Sequence, residues 1–214
     1  MRFPGESAEY RAARNRLLVM ERDLRRQSEA VAAARRALPP GGAVPDYEFV
    51  RASGPSAGRA VRLHELFASG KPDLLIYSFM FGAGAATPCP YCVSLLDALD
   101  GNAQAISKRA NLAVVAKCAP ARIGEFSRDR GWRNLVLLSS AGNTYNTDYF
   151  GENAEGEQTP MINSFRKSGA GVIHVWGSEL LFLPPDDGQD PRHADFLWPL
   201  WNALDMTASD RGGR

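Results

Sequence analysis

Two cysteines separated by two residues, Cys89 and Cys92, are the side chains of this sequence best suited to covalent chemistry. They follow the apolar residues 74–81 and open a helical pattern in which Pro90 takes the first position, where its missing N–H costs nothing. Two thiols at this spacing can close a small disulfide ring, and a helix N-terminus stabilises a thiolate at the first of them. The pattern therefore predicts a dithiol that exchanges with disulfides.

The two sulfur atoms are expected to play different roles. We predict that Cys89 is the attacking thiolate, because the free N–H groups of a helix N-terminus lower a thiol pKa from about 8.5 toward neutrality. Cys92, one turn further along and more buried, would then attack the mixed disulfide and release the partner. Tyr91, between the two, would shape the exposed lip of the site.

Two other interpretations of this cysteine pair are open. The thiols could be buried and inert, or they could form half of a metal site. A structural zinc site takes more ligands than the two that this motif supplies. The histidines are scattered along the chain without ligand spacing: His64, His174 and His193. The sequence therefore predicts no metal.

The third cysteine, Cys118, follows the apolar residues 112–116 and precedes Pro120. Those apolar residues are predicted to form a strand beside the strand that leads to the dithiol, so Cys118 could approach the site. It is a candidate third redox thiol. The alternative is a small hydrophobic side chain in the core.

Composition narrows the class of protein. The chain has 214 residues, of which 44% are hydrophobic, enough for a packed core. A formal net charge of +1 creates no overall field that would select nucleic acid or a membrane surface. Three cysteines are too few for a secreted disulfide scaffold, and the sequence has neither a signal-peptide pattern nor an apolar run of about 20 residues. We therefore expect a cytoplasmic protein without nucleic-acid or membrane partners.

Residues 7–38 carry a heptad pattern that predicts one long helix. Apolar side chains recur every seven residues, and a second apolar set, with Gln27 as its one polar member, fills the offset positions. This seam consists of Tyr10, Ala13, Leu17, Met20, Leu24, Gln27, Val31, Ala34 and Leu38. A seam of this length must be buried, either on the parent domain or on a second subunit, and the pattern does not identify which. The expectation that we carry forward is a homodimer through this helix.

Strand and helix patterns alternate along the rest of the chain. The strands are predicted at residues 47–52, 73–81, 112–116, 135–138, 161–166 and 172–176. The helical segments are predicted at residues 61–67, from Cys92 onward, at 120–130 and at 194–206, and residues 142–156 are predicted to be a loop. Alternation predicts an α/β fold with a parallel sheet flanked by helices, and the last two strands add an antiparallel hairpin. Residues 1–42 would be a helical extension and residues 43–214 the domain that holds the dithiol.

This layout, with the CPYC tetrapeptide at 89–92 after a buried strand, resembles the thioredoxin fold, and the tetrapeptide is typical of glutaredoxins. The resemblance implies that residues 43–214 form a thioredoxin-like domain with a mixed sheet. Thioredoxin-like proteins also place a cis-proline before a later strand, facing the dithiol. Thr159 and Pro160, just before the strand at 161–166, match that position. The resemblance therefore implies that these two residues border the groove where a partner binds.

Nearly the whole chain is similar to a bacterial thioredoxin-like family known as domain of unknown function number eight-nine-nine. The similarity is carried by residues 9–14, 35–39, 46–49, 63–67, 78–82, 89–92, 130–132, 139–150 and 204–207. It implies a fold and no particular activity.

These patterns favour a thiol–disulfide oxidoreductase that uses Cys89 and Cys92 on protein or small-molecule disulfides. No bound cofactor is expected, and glutathione and a thioredoxin-type reductant are both candidate electron donors. A non-enzymatic thioredoxin-like binding module is one alternative. A thiol peroxidase is another. A peroxidatic cysteine is expected to have Thr or Ser three residues before it, but the residue three positions before Cys89 is Ala86.

Overall fold

A computed structural model describes residues 2–169, 171–188 and 198–207 of the chain, which divides into two compact units, Met1–Pro39 and Pro40–Arg214. The first unit contains α1 (Ala8–Arg36), 29 residues long, so the predicted long helix is confirmed. Ser7 caps α1, because its Oγ accepts a hydrogen bond from the N–H of Tyr10 at 3.0 Å. Within the part of the chain that the structure describes, no helix combines the length and apolarity of a membrane span.

The α1 seam gives a first testable prediction. Leu17 lies on the seam and Leu18 beside it, and the two side chains are almost equally exposed, at 45% and 46%. Because a charge in a paired apolar seam would have to be desolvated, Leu17→Glu is expected to dissociate a helix-mediated dimer, whereas Leu18→Glu is expected to leave it intact. Sedimentation velocity measures both masses. A monomeric parent protein, or equal dissociation of the two variants, would contradict the dimer.

Among its described residues, the second unit contains seven strands and four α-helices. The strands are β1 (Glu48–Arg51), β2 (Ala60–Arg62), β3 (Asp73–Phe79), β4 (Asn111–Ala116), β5 (Val136–Ser139), β6 (Met161–Ser168) and β7 (Gly171–Gly177). The helices are α2 (Pro90–Ile106), α3 (Pro120–Arg130), α4 (Tyr145–Asp148) and α5 (Pro199–Leu204). The strands form one mixed sheet in the order β2-β1-β5-β4-β3-β6-β7. Strands β3, β4 and β5 are parallel, and the outer pairs are antiparallel. The predicted thioredoxin-like mixed sheet is therefore confirmed.

Side chains along β3 alternate between two separate core clusters, as they must in a strand that is buried on both faces. Tyr77 and Phe79 belong to the cluster that also contains Cys92 and the apolar face of α2. Leu74 and Ile76 belong to the other cluster. The alternation places Tyr77 on the face of the sheet against which the dithiol helix packs.

Three predicted elements differ from those observed. Residues 61–67, predicted to be helical, begin as β2, because Val61 pairs with Phe49 of β1, and only then continue as the 3-10 helix Leu63–Leu66. The predicted loop at 142–156 contains α4. Of the helix predicted at 194–206, the structure shows α5 over Pro199–Leu204. Residues 194–197 lie outside the described residues.

Candidate functional site

The dithiol lies where the chain passes from β3 to α2. Cys89 is the N-cap residue of α2, with φ −59° and ψ 123°, and Pro90 is the first helical residue, as predicted. The N–H of Cys89 donates to the carbonyl oxygen of Met80 at 3.1 Å, which ties the start of the helix to the end of the strand. Cys89 is half-buried, Cys92 is buried, and both are free thiols.

The two thiols have opposite pKa shifts. A hydrogen bond from the Cys92 thiol lowers the pKa of Cys89 to about 6, and the backbone N–H groups of Cys92 and Tyr91 act in the same direction, against the desolvation caused by burial. The same hydrogen bond, together with burial, raises the pKa of Cys92 well above its ordinary value. At neutral pH the pair therefore holds a thiolate at Cys89 and a thiol at Cys92.

Tyr77 is part of this site, although the sequence analysis did not select it. Its hydroxyl donates a hydrogen bond to Cys92 Sγ at 3.1 Å, and both side chains are buried. Burial raises the pKa of Tyr77 well above its ordinary value, so the hydroxyl stays protonated and remains a donor. The period-two alternation of β3, which aims Tyr77 at the α2 face, is the sequence signal that could have identified it.

An open groove of about 640 Å³ lies beside Cys89. Its lining includes the loop that follows β3, with Met80 and Ala85. Charged and polar groups also line it, namely Lys117, Glu152 and Gln158. No periodic or motif signal in the sequence points to Lys117, Glu152 or Gln158, because the fold brings them together from separate segments.

The loop between β3 and α2 is held by Arg122 of α3. Its guanidinium donates from Nη1 to the carbonyl oxygen of Ala83 at 2.8 Å and from Nη2 to that of Ala85. It also lies over the ring of Phe81, 4.8 Å from the ring centre. Arg122 therefore holds in place the backbone of Ala83 and Ala85, two residues that line the groove.

The residues predicted to contact a substrate, Tyr91, Thr159 and Pro160, are not among those that line the groove. Tyr91 is 41% exposed, and its ring meets that of Trp198 edge-on, with 6.3 Å between ring centres. The hydroxyl of Thr159 donates to the carbonyl oxygen of Phe150. The residue before Thr159, Gln158, lines the groove. The described residues contain no cis peptide bond, so Pro160 follows a trans bond, the favoured isomer, where the resemblance implied cis. The substrate-binding roles of Tyr91, Thr159 and Pro160 stay predictions.

Cys118 lies two residues after β4 and is completely buried. Burial raises the pKa of its thiol to about 11, and the nearby charge of Arg122 offsets only part of this increase. Cys118 is therefore protonated at neutral pH. Its surroundings favour the interpretation as a small core side chain over that of a third redox thiol.

The two described histidines take part in local hydrogen bonds. His64 Nδ1 lies 2.8 Å from a carboxylate oxygen of Asp46, and His174 Nε2 lies 2.9 Å from the amide oxygen of Asn163. His193 lies outside the described residues. Among residues 2–169, 171–188 and 198–207, no three His, Cys, Asp or Glu side chains are grouped so as to hold a metal ion.

Comparisons with known proteins agree with this architecture. The model of the family described as "Bacterial protein of unknown function (DUF899)" matches residues 2–214. A thioredoxin peroxidase I from Plasmodium yoelii is 17% identical, with a TM-score of 0.50 over 78% of this chain and 91% of that one. A reduced 2-Cys peroxiredoxin from Plasmodium vivax is also 17% identical, with a TM-score of 0.50 over 78% and 96% of the two chains. At this identity the likeness shows the fold alone. No curated protein matches the chain.

Proposed function

Since the chain belongs to the family of bacterial proteins described as DUF899, a description that assigns no activity, we propose from the site itself that it is a thiol–disulfide oxidoreductase. The observation that supports this proposal is the asymmetry of the two sulfur atoms. Cys89 is half-buried beside a groove and its pKa is lowered to about 6, whereas Cys92 is buried, protonated and hydrogen-bonded to it. Attack and resolution need this division of roles.

The proposed reaction proceeds in two exchanges. The Cys89 thiolate attacks one sulfur of a substrate disulfide, the S–S bond breaks, and the first substrate thiolate leaves and takes a proton from water. Cys92 then loses its proton to solvent and attacks the Cys89 sulfur, which releases the second substrate thiolate. The substrate has gained two electrons and the protein holds a Cys89–Cys92 disulfide. A thiol reductant, glutathione or a thioredoxin-type protein, would return the pair to the dithiol.

Peroxide reduction is the competing use of such a thiolate. Two proteins that share this fold, a thioredoxin peroxidase and a peroxiredoxin, raise this alternative. The sequence around Cys89 favours it less, because Ala86 occupies the position expected to be Thr or Ser. Rates of hydrogen peroxide and disulfide consumption by the same protein would separate the two activities, and we expect disulfide reduction to be faster.

The pH dependence of Cys89 alkylation tests the proposed thiolate. Because only the thiolate reacts, the rate with iodoacetamide should rise about tenfold per pH unit in acid and level off above the Cys89 pKa of about 6. Mass spectrometry of the labelled peptide assigns the rate to Cys89. Cys92→Ala removes the hydrogen bond to the thiolate and should move the midpoint upward, whereas Cys118→Ala should not move it. A midpoint near the ordinary value of about 8.5 would contradict the proposal.

A further inference from the structure

We infer that the groove beside Cys89 binds a small disulfide that carries both a carboxylate and an ammonium group, the chemistry of an amino-acid disulfide. This inference rests on the proposed function and names its substrate class. It is drawn from two neighbouring groove residues of opposite charge. They are Lys117, just after β4, and Glu152, after α4.

Lys117 and Glu152 form an ion pair in the groove. Lys117 Nζ lies 3.1 Å from Glu152 Oε2, and the two side chains are 23% and 18% exposed. An ion pair that is partly open to water contributes little to stability. The stability of the fold therefore gives little reason for two opposite charges to lie in the groove that holds the reactive sulfur.

Two side-chain amides, one of them buried, hold the carboxylate of this pair in place. Asn146 is completely buried, and its Nδ2 donates to Gln158 Oε1 at 3.3 Å. Gln158 Nε2 in turn donates to Glu152 Oε2 at 3.2 Å. Asn146 is itself anchored, because its Oδ1 accepts a hydrogen bond from the hydroxyl of Ser140 at 2.6 Å. The chain Ser140–Asn146–Gln158–Glu152 therefore orients the charged end before any ligand arrives.

Each member of the ion pair keeps hydrogen-bonding capacity for a ligand. The ammonium of Lys117 has three N–H bonds, of which Glu152 and the carbonyl oxygen of Asn143, at 3.4 Å, take two. Glu152 Oε1 accepts no hydrogen bond from the described residues, since both contacts of that carboxylate go to Oε2. A ligand carboxylate can accept from Lys117 while a ligand ammonium donates to Glu152. An amino-acid group presents both charges on one carbon atom.

The rest of the groove fits a ligand of this size. Its volume of about 640 Å³ lies in the range of about 300–1,000 Å³ that is usual for small-molecule sites. Gly82 also lines the groove, and a Cβ on Gly82 would lie 3.1 Å from Gln158 Cγ, so the glycine allows the loop to approach this side chain closely. The disulfide would reach Cys89 while its charged end lies on Lys117 and Glu152.

Four disulfides of similar size test the inference: cystine with both charges, cystamine with ammonium groups, dithiodipropionic acid with carboxylates, and hydroxyethyl disulfide with neither. We expect kcat/KM for cystine to exceed that for hydroxyethyl disulfide by about tenfold or more. Lys117→Met should lower the kcat/KM of dithiodipropionic acid relative to that of hydroxyethyl disulfide about tenfold. Glu152→Gln should lower the kcat/KM of cystamine relative to that of hydroxyethyl disulfide by about the same factor. Lys108→Met, a lysine outside the groove lining, is the matched control and should leave every ratio unchanged.

The outcomes separate this inference from the function on which it rests. Equal turnover of all four disulfides by the parent protein, or an equal loss on all four in both groove variants, would overturn the inference and leave the oxidoreductase proposal standing. Faster reduction of a protein disulfide such as insulin than of cystine would overturn it in favour of protein substrates. Failure to reduce any disulfide, with Cys89 reactive or not, would overturn the proposed function and the inference together.

Discussion

Replacing Cys89 by serine is expected to reduce disulfide reduction to the uncatalysed rate, a loss of about 10³-fold or more. The reason is the state of the sulfur. With a pKa of about 6, Cys89 is about 90% thiolate at pH 7, against about 3% for a thiol of ordinary pKa. A serine hydroxyl at the same place would remain protonated. Turnover of hydroxyethyl disulfide, coupled to a thiol reductant, measures the loss.

The matched control for this substitution is Cys118→Ser. Cys118 is completely buried and its pKa is raised to about 11, so its removal should leave turnover within about twofold of the parent rate. This control also tests the interpretation of Cys118 as a third redox thiol. Retained activity in Cys89→Ser would exclude the assigned attack. A comparable loss in Cys118→Ser, in a protein that remains folded by circular dichroism, would give Cys118 a redox role.

Replacing Tyr77 by phenylalanine is expected to slow the resolving step by about 10- to 100-fold. The hydroxyl donates to Cys92 Sγ at 3.1 Å in a buried setting, and a hydrogen bond to a group that becomes charged contributes about 1.5–3 kcal/mol. Without it, the Cys92 thiolate that must form during resolution loses its donor, so the pKa of Cys92 should rise further. Tyr77 acts through Cys92 and is a positioning residue, and its substitution should leave the first attack by Cys89 the faster step.

Rapid acid quenching followed by mass spectrometry gives the readout, because a slowed second step makes the mixed disulfide on Cys89 accumulate. Tyr145→Phe is the matched control. Tyr145 is another completely buried tyrosine, but it belongs to the opposite core cluster, away from Cys92. If both variants accumulate the same amount of mixed disulfide, Tyr77 contributes packing alone. Urea unfolding of both proteins separates a loss of stability from a loss of resolution.

A steric prediction of smaller functional effect concerns Gly151, which is packed against β3. A Cβ at this position would lie 2.7 Å from Ser78 Oγ and 2.9 Å from Ser78 Cβ. Because overpacking in a closed site commonly costs about 1–3 kcal/mol, Gly151→Ala is expected to lower the free energy of unfolding by that amount. Gly156→Ala should be measured beside it as a case of backbone strain without a steric clash. The φ of 84° at Gly156 strains any side chain, although the space around this glycine is open. Denaturant unfolding that shows no loss in Gly151→Ala would contradict the observed packing.

Local patterns were sufficient to predict most of the elements. The heptad repeat indicated α1, and a proline at the first position with cysteine before it indicated the start of α2. The predicted range 120–130 matches α3, which begins at Pro120 and is followed by Gly131 with the left-handed φ of 82° that is typical of such an end. These signals succeed because helix caps and apolar periods depend on residues within a few positions of one another.

The short strand β2 shows where local reasoning failed. Its three residues, Ala60–Arg62, contain too little alternation to indicate a strand, and the following Leu63–Leu66 is helical. What makes it a strand is pairing with β1, in which Val61 opposes Phe49. Such pairing depends on a partner strand that a local window does not contain.

The sequence by itself determined the chemistry available to this protein, because the CPYC spacing and the helix that it opens place a reactive thiol before a second one. Only the tertiary structure decided what surrounds those sulfurs. Tyr77 reaches Cys92 because α2 packs on one face of β3, and Lys117 meets Glu152 because the end of β4 lies beside a segment 35 positions later in the chain. Hydrogen bonds and ion pairs act over a few ångströms of space, whatever the separation in sequence, so folding alone could bring these groups together.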